Sequence, residues 1–173
     1  MFIGGERPGG FTLLDNLIVI AILGIIGTIA IPQYQGMIRE TRLNEAAQDL
    51  VSGIQYAGSL AVRYRRPFGF QADAAGRWFK VYDNRYAADS AAHTADDPPV
   101  TAYGVVLNPI EKNWYLRDFD DMENYRQVAF TNAQIVFYPD GHSSAANTTV
   151  TVSLGDSQRV LTIDGATGRI SVQ

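Results

Sequence analysis

The residues from Phe11 to Gln35 read FTLLDNLIVIAILGIIGTIAIPQYQ, and they decide how the rest of the chain is organised. No charged side chain occurs from Asn16 to Met37. The hydrocarbon core of a bilayer is about 30 Å thick and needs about 20 helical residues, which the 22 residues from Phe11 to Pro32 supply. Because lipid offers backbone groups no hydrogen bonds, an isolated span has to be a helix. The stretch therefore predicts a single membrane-spanning helix.

One carboxylate, that of Asp15, lies at the start of this helix. A charge at the centre of a membrane costs roughly 2.5–3.5 kcal/mol, and charged residues within membrane segments are usually functional. A secretory signal peptide would have a basic start, a shorter apolar core and a small-residue cleavage site. Here only Arg7 beside Glu6 precedes the core, and IPQYQGMIRE follows it. A plain membrane anchor fits the stretch better but leaves Asp15 unexplained.

The sequence around this carboxylate, GG|FTLLDNLIVIAILGIIGTIAIPQYQ, resembles the N-terminus of type IV pilins and type II secretion pseudopilins. The resemblance implies that residues 1–10 are a leader peptide ending at Gly10 and that a prepilin peptidase removes it. It also implies that the new N-terminal residue, Phe11, is N-methylated. Asp15 stands where the family nearly always has Glu, and Gly24 and Pro32 fall at the family's usual spacings.

The resemblance also implies a role for Asp15 in assembly. Cleavage before Phe11 exposes an α-amine with a reference pKa of about 8. In a helical filament, the carboxylate of one subunit neutralises the amine of the next, because a paired charge is less costly in an apolar core than a lone one. Asp is one methylene shorter than Glu, so we expect assembly and N-methylation to be less efficient than with Glu.

Three residues of the span predict flexibility in the helix. Gly24 and Gly27 each lower helix propensity by about 1 kcal/mol relative to Ala, and Pro32 removes a helical hydrogen bond and favours a kink. The simplest interpretation is a kinked membrane helix. The resemblance implies further that the segment between Gly24 and Pro32 partly melts when the subunit leaves the bilayer.

Beyond the span, the sequence predicts a second helical stretch and then strands. The helix should run to about Tyr64 and break at Pro67, and residues 68–83 should form a strand hairpin around the ADAAG turn. Residues 84–104 predict a long polar loop. The apolar and small residues that recur at helical spacing are Leu43, Ala46, Ala47, Leu50, Val51, Ile54, Ala57 and Ala61.

The last third of the chain alternates apolar and polar residues, in AQIVFYPDGH, NTTVTVSL, QRVLTID and GRISVQ. Turn signals at Asp140-Gly141, Gly155-Asp156 and 165–168 separate these segments, which together predict an antiparallel meander with one buried face. Between residues 105 and 130, VVLN and QVAF are candidates for short strands.

These elements predict an α+β chain, in which a long N-terminal helix, its first half transmembrane, packs on a C-terminal antiparallel β-rich head. LVSGIQYAGSLAVRYRRPFGFQ, GRWFKVYD and the C-terminal segments resemble the GspH/FimT-type head of minor pilins and pseudopilins. The expected organisation is a leader at 1–10, a transmembrane and filament-core helix at 11–33, and a periplasmic helix continuation with the head at 34–173.

The residues predict no enzyme and no cofactor. The chain has no cysteine and only two histidines, which excludes disulfides, thiolate metal sites and thiol catalysis. His93 falls in the polar loop and His142 follows a turn, so both are expected at the surface. Asp118, Asp120 and Asp121 are oxygen ligands of the kind that Ca²⁺ binds, but they lack EF-hand spacing. A solvated acidic loop without metal is therefore the preferred interpretation.

Arg63, Arg65 and Arg66 surround Tyr64 and form the one basic cluster of the sequence, while Arg169 lies in the tail. Some FimT-like pilins help to take up DNA, so the resemblance makes these arginines candidate phosphate contacts. Useful affinity for phosphate needs several neutralising charges, and a chain of net charge −4 has no overall attraction for nucleic acid. A packing role at the end of the helix is therefore preferred.

The resemblance as a whole implies a structural subunit, a minor pilin or pseudopilin of a type II secretion pseudopilus or a type IV pilus. Its expected partners are other pilins in a helical filament, the prepilin peptidase and an inner-membrane assembly platform. Before assembly it would cross the inner membrane once, with its head in the periplasm. A type IV pilus subunit, either major or of the DNA-uptake kind, is the alternative left open.

Overall fold

The computed structural model describes residues 13–86, 104–144 and 147–173. The chain divides into two compact units, Met1–Arg39 and Glu40–Gln173. The predicted leader with Gly10 and Phe11 lies outside the described residues, as does the part of the polar loop that contains His93.

The first unit contains the start of helix α1 (Leu13–Tyr64), whose surface here is almost entirely apolar. This helix is long and apolar enough to cross a membrane, with a mean hydropathy of 2.3 over its most apolar stretch. The backbone stays helical through Pro32, so flexibility at this residue remains a prediction. The large apolar side chains are between 47% and 82% exposed, and they are Leu13, Leu14, Leu17, Ile18, Val19, Ile20, Ile22, Leu23, Ile25, Ile26, Ile31, Tyr34 and Met37.

In the second unit, α1 buries the apolar stripe that its sequence predicts. All eight residues of the stripe, from Leu43 to Ala61, are at most 5% exposed. The helix ends at Tyr64, as predicted. The Arg66 N–H donates to the Ala61 carbonyl at 3.3 Å, and Arg65 adopts a left-handed φ of 52°. This is the Schellman arrangement that commonly closes a helix, and Pro67 then prevents its continuation.

The described part of the second unit also contains eight strands and a short 3₁₀ turn at Asn84–Tyr86. The strands are β1 (Phe68–Asp73), β2 (Trp78–Asp83), β3 (Leu116–Asp118), β4 (Ala129–Phe130), β5 (Ala133–Phe137), β6 (Asn147–Leu154), β7 (Ser157–Asp164) and β8 (Ile170–Val172). They form two four-stranded sheets, in the orders β3-β2-β1-β5 and β4-β6-β7-β8.

The hairpin predicted at residues 68–83 is confirmed. β1 and β2 pair antiparallel from Phe68 opposite Asp83 to Asp73 opposite Trp78. The ring of Tyr82 lies over Gly69, where a Cβ atom would overlap it. Glycine at this position is thus required by close packing across the hairpin.

The predicted four-segment meander is wrong in one respect, because β5 belongs to the other sheet. Only β6, β7 and β8 follow one another within the second sheet, whereas β5 pairs antiparallel with β1. The Asp140-Gly141 turn folds the chain back only briefly, and Ser144 hydrogen bonds to both backbone groups of Val136. The chain then continues to β6, and β5 pairs with the side of β1 that does not face β2.

The segment from 105 to 130 also differs in detail from the prediction. VVLN forms isolated bridges, Val105 to Tyr82 and Leu107 to Trp114, rather than a strand. Within QVAF only Ala129–Phe130 is a strand, and β3 was not predicted because three residues carry no recognisable alternation. Long-range pairing therefore creates the strands of this segment.

A row of aromatic rings joins α1 and the two sheets in one core. The ring centre of Phe79 lies 5.5 Å from that of Phe70 and 6.0 Å from that of Phe119. The ring centres of Phe119 and of Phe130, in the second sheet, are 5.0 Å apart. The helix approaches closely at Gly53, where an added Cβ would meet the Phe79 ring at 3.0 Å. The sheets and the helix are thus fixed together by side chains that face inward from all three.

Truncating the helix stripe tests this packing. Ile54 is completely buried, so Ile54→Ala removes apolar contacts and leaves a cavity, which costs about 2–5 kcal/mol of unfolding free energy. Denaturant unfolding of the full chain in detergent measures the change. Gln55→Ala, at the adjacent exposed position, is the control and should alter stability by less than about 0.5 kcal/mol. Equal effects of the two variants would contradict the assigned helix face.

Candidate assembly site

Asp15 is the acidic residue in the first turn of α1, and it is half-buried. A carboxylate in the first helical turn is favoured because the helix dipole is positive there. Leu13, Leu14 and Ile18 around it are exposed, so the carboxylate lies beside an apolar surface. The amine that processing at Phe11 would create lies outside the described residues.

In the described parts of the subunit, no group packs against Gly24 or Gly27. An added Cβ at either position would have no atom within 4 Å. Small residues on membrane helices commonly let two helices approach closely, and glycine also weakens the helix. Close packing between subunits and local helix flexibility both remain predictions for these glycines.

One of the helix-end arginines, Arg66, meets Arg85 at a buried carboxylate, that of Asp83. Its side chain is 8% exposed, and its Oδ2 atom lies 2.9 Å from Nη2 of Arg66 and 2.9 Å from Nη2 of Arg85. The Asp83 N–H also donates to the Gly104 carbonyl at 2.7 Å. Asp83 thus connects the end of α1, the end of β2 and the two ends of the polar loop. Sequence reasoning missed this residue, because neither its burial nor its partners are visible at a strand end.

The other two arginines of this cluster, Arg63 and Arg65, are exposed, and the Tyr64 ring lies beside two members of the cluster. The Arg63 and Arg66 guanidinium carbons lie 5.7 Å and 5.6 Å from the centre of the Tyr64 ring. Arg65 is exposed as well. Of the three arginines in this cluster, only Arg66 pairs with a carboxylate among the described residues.

Arg169 lies in a different place, at the turn between β7 and β8. Its carbonyl accepts a hydrogen bond from the Asp164 N–H at 2.9 Å. The backbone N–H of Thr167 donates to the Asp164 carboxylate and lowers the pKa of that group. No contact among the described residues joins Arg169 to Arg63, Arg65 or Arg66, so the predicted four-arginine set is divided.

The acidic segment is held by a hydrogen bond within it and by an ion pair to β2's neighbour Arg77. Asp118 accepts the Asp120 N–H at 2.8 Å, and Asp120 pairs with Arg77 at 2.5 Å. Asp121 is exposed. In the described parts of the chain, no three His, Cys, Asp or Glu side chains converge as metal ligands would. The preference for a solvated acidic loop stays a prediction.

His142 occupies the surface position that the sequence predicts. It contacts Asp140 through Nδ1 and stacks on Tyr138 with ring centres 4.5 Å apart. Both contacts of His142 lie within the turn after β5.

Polar contacts also join α1 to β7 and to the segment before β4. Arg159 of β7 pairs with Glu40 and donates to Asn44 at 3.0 Å. The Tyr125 hydroxyl donates to Asp49 at 3.1 Å. Burial, with the Asp49 carboxylate beside it, raises the pKa of Tyr125 and keeps it a donor. Sequence reasoning missed these contacts because their partners are far apart along the chain.

Comparison with known proteins gives a family and several relatives. Residues 46–168 match the family described as type II transport protein GspH. A fimbrial protein of Moraxella nonliquefaciens is 33% identical over 97 residues, which is 56% of this chain and 60% of that protein. A fimbrial protein of Pseudomonas aeruginosa is 43% identical over 53 residues, 31% of this chain and 34% of that one. The chain thus spans 60% or less of these relatives.

Two solved structures are also similar. The type IV minor pilin FimU of Pseudomonas aeruginosa is 23% identical, with a TM-score of 0.49 over 78% of this chain and 90% of that one. The minor pseudopilin EpsH of the Vibrio cholerae type 2 secretion system is 15% identical. Its TM-score is 0.43, over 76% of this chain and 96% of that one.

Neutralising the buried carboxylate tests its role in the head. Asp83→Asn deprives Arg66 and Arg85 of the charge they share, and we expect the unfolding free energy to fall by about 2 kcal/mol. Denaturant unfolding of the full chain in detergent measures the loss. Asp121→Asn makes the same change at an exposed position and should leave stability within about 0.5 kcal/mol. A loss as large in the control would show that overall charge, not the Asp83 contacts, is responsible.

Proposed function

Because the chain belongs to the GspH family of type II transport proteins, we propose that it is a minor pilin or pseudopilin. It is assembled into a type II secretion pseudopilus or a type IV pilus. The observation that carries the proposal is the exposed apolar helix of the first unit, with a carboxylate in its first turn. Apolar surface of this extent is stable only in lipid or against other apolar surfaces. The similarity to fimbrial proteins supports assembly through this helix.

The subunit in this proposal is processed before it assembles. A prepilin peptidase cleaves the chain after Gly10 and so removes residues 1–10. The new N-terminal residue, Phe11, is then N-methylated. The subunit waits in the inner membrane, held by the apolar helix, with its head in the periplasm. The assembly platform then extracts it into the filament. The length and hydropathy of the helix support the single-pass stage, and the resemblance of the first 35 residues to prepilins supports the cleavage position.

Asp15 determines the register of assembly in this proposal. The freed amine of Phe11 is positive at neutral pH, and the helices bring it into an apolar environment where an unpaired charge is costly. The Asp15 carboxylate of the neighbouring subunit neutralises it only when the two helices are correctly offset. The half-buried position of Asp15 beside exposed Leu13 and Leu14 supports this role.

Two lines of similarity bear on whether the chain belongs to a type II secretion pseudopilus or to a type IV pilus. The family description names type II transport, which favours a secretion pseudopilus. The curated relatives are fimbrial proteins, which favours a type IV pilus subunit. A strain that lacks the chain, scored for secretion, twitching and transformation together, separates these assignments.

Changing Asp15 tests the proposal at the residue level. We expect Asp15→Ala to lower the amount of chain in sheared filaments by about tenfold or more, because the neighbour's amine loses its partner. Asp15→Glu should increase both N-methylation and filament incorporation, because its carboxylate reaches further. Immunoblots of filament fractions and mass spectrometry of the mature N-terminus measure the two effects.

Asn16→Ala is the matched control, since it truncates an uncharged, exposed side chain in the same turn. It should enter filaments like the unchanged chain. Full incorporation of Asp15→Ala, or equal methylation of the Asp15 and Glu forms, would contradict the role given to the carboxylate.

The DNA-uptake alternative has a separate expectation. Asp83 already engages Arg66, and Arg169 makes no contact with the other arginines among the described residues. Too few charges remain for useful phosphate affinity, so we expect no salt-sensitive DNA binding. Gel shifts with the full chain at low and high salt measure this. A shift at low salt that high salt abolishes, and that Arg63→Ala with Arg65→Ala removes, would establish the alternative.

A further inference from the structure

A side-chain oxygen of Gln71 is buried without a hydrogen bond on the outer face of the first sheet. Phe70 and Ala72 of β1 belong to the core, so Gln71 between them lies on the opposite face of the sheet. Its Oε1 atom is buried, and no donor reaches it in the described parts of the chain. Nearly all buried acceptors in native proteins are bonded, so an unbonded one points to a partner outside the chain.

A surface cavity of about 320 Å³ lies beside this glutamine, and its volume is within the range of small-molecule sites. Gln71 and Gln134 are direct partners across β1 and β5. Asp73 ends β1, and Asn132 directly precedes β5. The cavity is lined by Gln71, Ala72, Asp73, Asn132, Ala133 and Gln134. Because the two alanines belong to the core, four polar side chains remain to contact a ligand.

The turn between β1 and β2 fixes two of these polar side chains. The Asp73 Oδ1 atom accepts the Ala75 and Gly76 N–H groups, at 2.8 Å and 3.1 Å. The Asn132 Oδ1 atom accepts the Ala74 N–H at 2.6 Å. Among the described residues, the other Asp73 oxygen and the Asn132 amide nitrogen make no hydrogen bond. One acceptor and one donor group therefore remain available beside the cavity.

Gln134 is held from the neighbouring strand β2. Its Nε2 donates to the Tyr82 hydroxyl at 3.2 Å, and Tyr82 is only 1% exposed. This bond leaves the Gln134 Oε1 atom as a further acceptor. Side chains that are already held by other hydrogen bonds lose little freedom when a ligand binds, which favours binding.

The mixture of donors and acceptors selects the class of ligand. Among the described residues that line the cavity, Asp73 alone is charged, so an anion would be repelled. The described residues also hold no cluster of metal ligands. A hydroxyl group both donates and accepts, and a saccharide carries several hydroxyl groups at close spacing. A neutral saccharide therefore matches the amide and carboxylate groups of the cavity.

A peptide is the competing class of ligand, because its backbone also donates and accepts. Extended peptides commonly bind by adding a strand to the edge of a sheet. At the β5 edge, however, Ser144 already bonds the Val136 N–H and carbonyl, at 3.0 Å and 2.7 Å. The cavity also offers peptide side chains no apolar wall, since its alanines belong to the core. Both observations favour a saccharide.

We propose that this cavity binds a neutral saccharide, whose hydroxyl groups donate to the Oε1 atoms of Gln71 and Gln134 and accept from the amide nitrogen of Asn132. Glycans of N-acetylated sugars and glycans of plain hexoses both carry such hydroxyl groups. The cavity lies wholly within the second unit, so saccharide binding does not depend on assembly into a filament.

NMR titration of the full chain tests saccharide binding. The chain is kept in a zwitterionic detergent, because a detergent with a sugar headgroup would compete for the cavity. The probes are chitotriose, which is N-acetylated, and cellotriose, which has hydroxyl groups without acetamido groups. We expect the side-chain amide signals of Gln71, Asn132 and Gln134 to shift with at least one probe. Half-saturation should occur at about 1 mM, the affinity that about four net hydrogen bonds give.

The titration separates the sources of the ligand and the competing class. Shifts with cellotriose would show that hydroxyl groups suffice, and shifts with chitotriose alone would show that the acetamido group is bound as well. Absence of shifts with both saccharides at about 20 mM would overturn the proposal. Shifts with an uncharged glycine–serine peptide and with neither saccharide would overturn it too, because the cavity would then be a peptide site.

Gln71→Leu separates ligand binding from folding. Leucine removes the buried oxygen that has no hydrogen bond, and with it the cost of burying that atom. We expect the thermal unfolding midpoint to rise or stay unchanged, while the saccharide affinity falls by about tenfold or more. Gln158→Leu makes the same change at an exposed position of β7 and should leave the affinity unchanged.

Asn132→Asp tests the donor of the site in a second variant. Aspartate keeps an oxygen that can accept the Ala74 N–H, but it loses the amide donors and adds a negative charge near Asp73. We expect saccharide affinity to fall by about tenfold with little change in the unfolding midpoint. Full saccharide affinity in either Gln71→Leu or Asn132→Asp would overturn the proposal.

Discussion

An apolar helix surface cannot remain in water, and this constraint governs the whole chain. Each square ångström of apolar surface removed from water is worth roughly 25 cal/mol, and the helix of the first unit exposes thirteen large apolar side chains. Lipid covers such a surface, and so do the same helices of neighbouring subunits. The proposed function uses both environments in turn, so that leaving the membrane costs little apolar burial.

In the proposed function, Asp15 is the residue that distinguishes the two environments. Lipid offers a carboxylate no cation, whereas the proposed filament core offers the amine of the next subunit. A single charged position can therefore favour protein contacts over lipid contacts without altering the rest of the helix. Among the described residues, no atom lies within 4 Å of a Cβ added at Gly24 or Gly27, so this stretch of the helix has room for another helix to approach closely.

The second unit is built so that its part of α1 is held firmly by the head. The buried stripe of α1 meets an aromatic row from both sheets, and Arg159 and Tyr125 bind carboxylates on the helix. Asp83 fixes the end of that helix to β2. The core and these polar contacts together join the helix to both sheets within the second unit.

Much of this architecture could be predicted from local sequence, and the parts that could not depend on distant partners. The helix stripe, its end at Tyr64 and the β1–β2 hairpin follow from periodicity and from Pro67, which act over a few residues. The membership of β5 in the first sheet depends on pairing with β1, more than sixty residues earlier. The carboxylate of Asp83 acquires its role only when Arg66 and Arg85 meet around it. Asp15 was identified from its neighbours in the sequence, since its unusual position in an apolar run is itself local.

The mass of the chain recovered from filaments tests the central claim most directly. Intact-mass spectrometry of the chain in sheared filament fractions should give a polypeptide that begins at Phe11 and carries one N-methyl group. That result requires both cleavage after Gly10 and assembly of the cleaved form. A chain that retains Met1 in the filament fraction, or one that occurs only in membranes, would contradict the account.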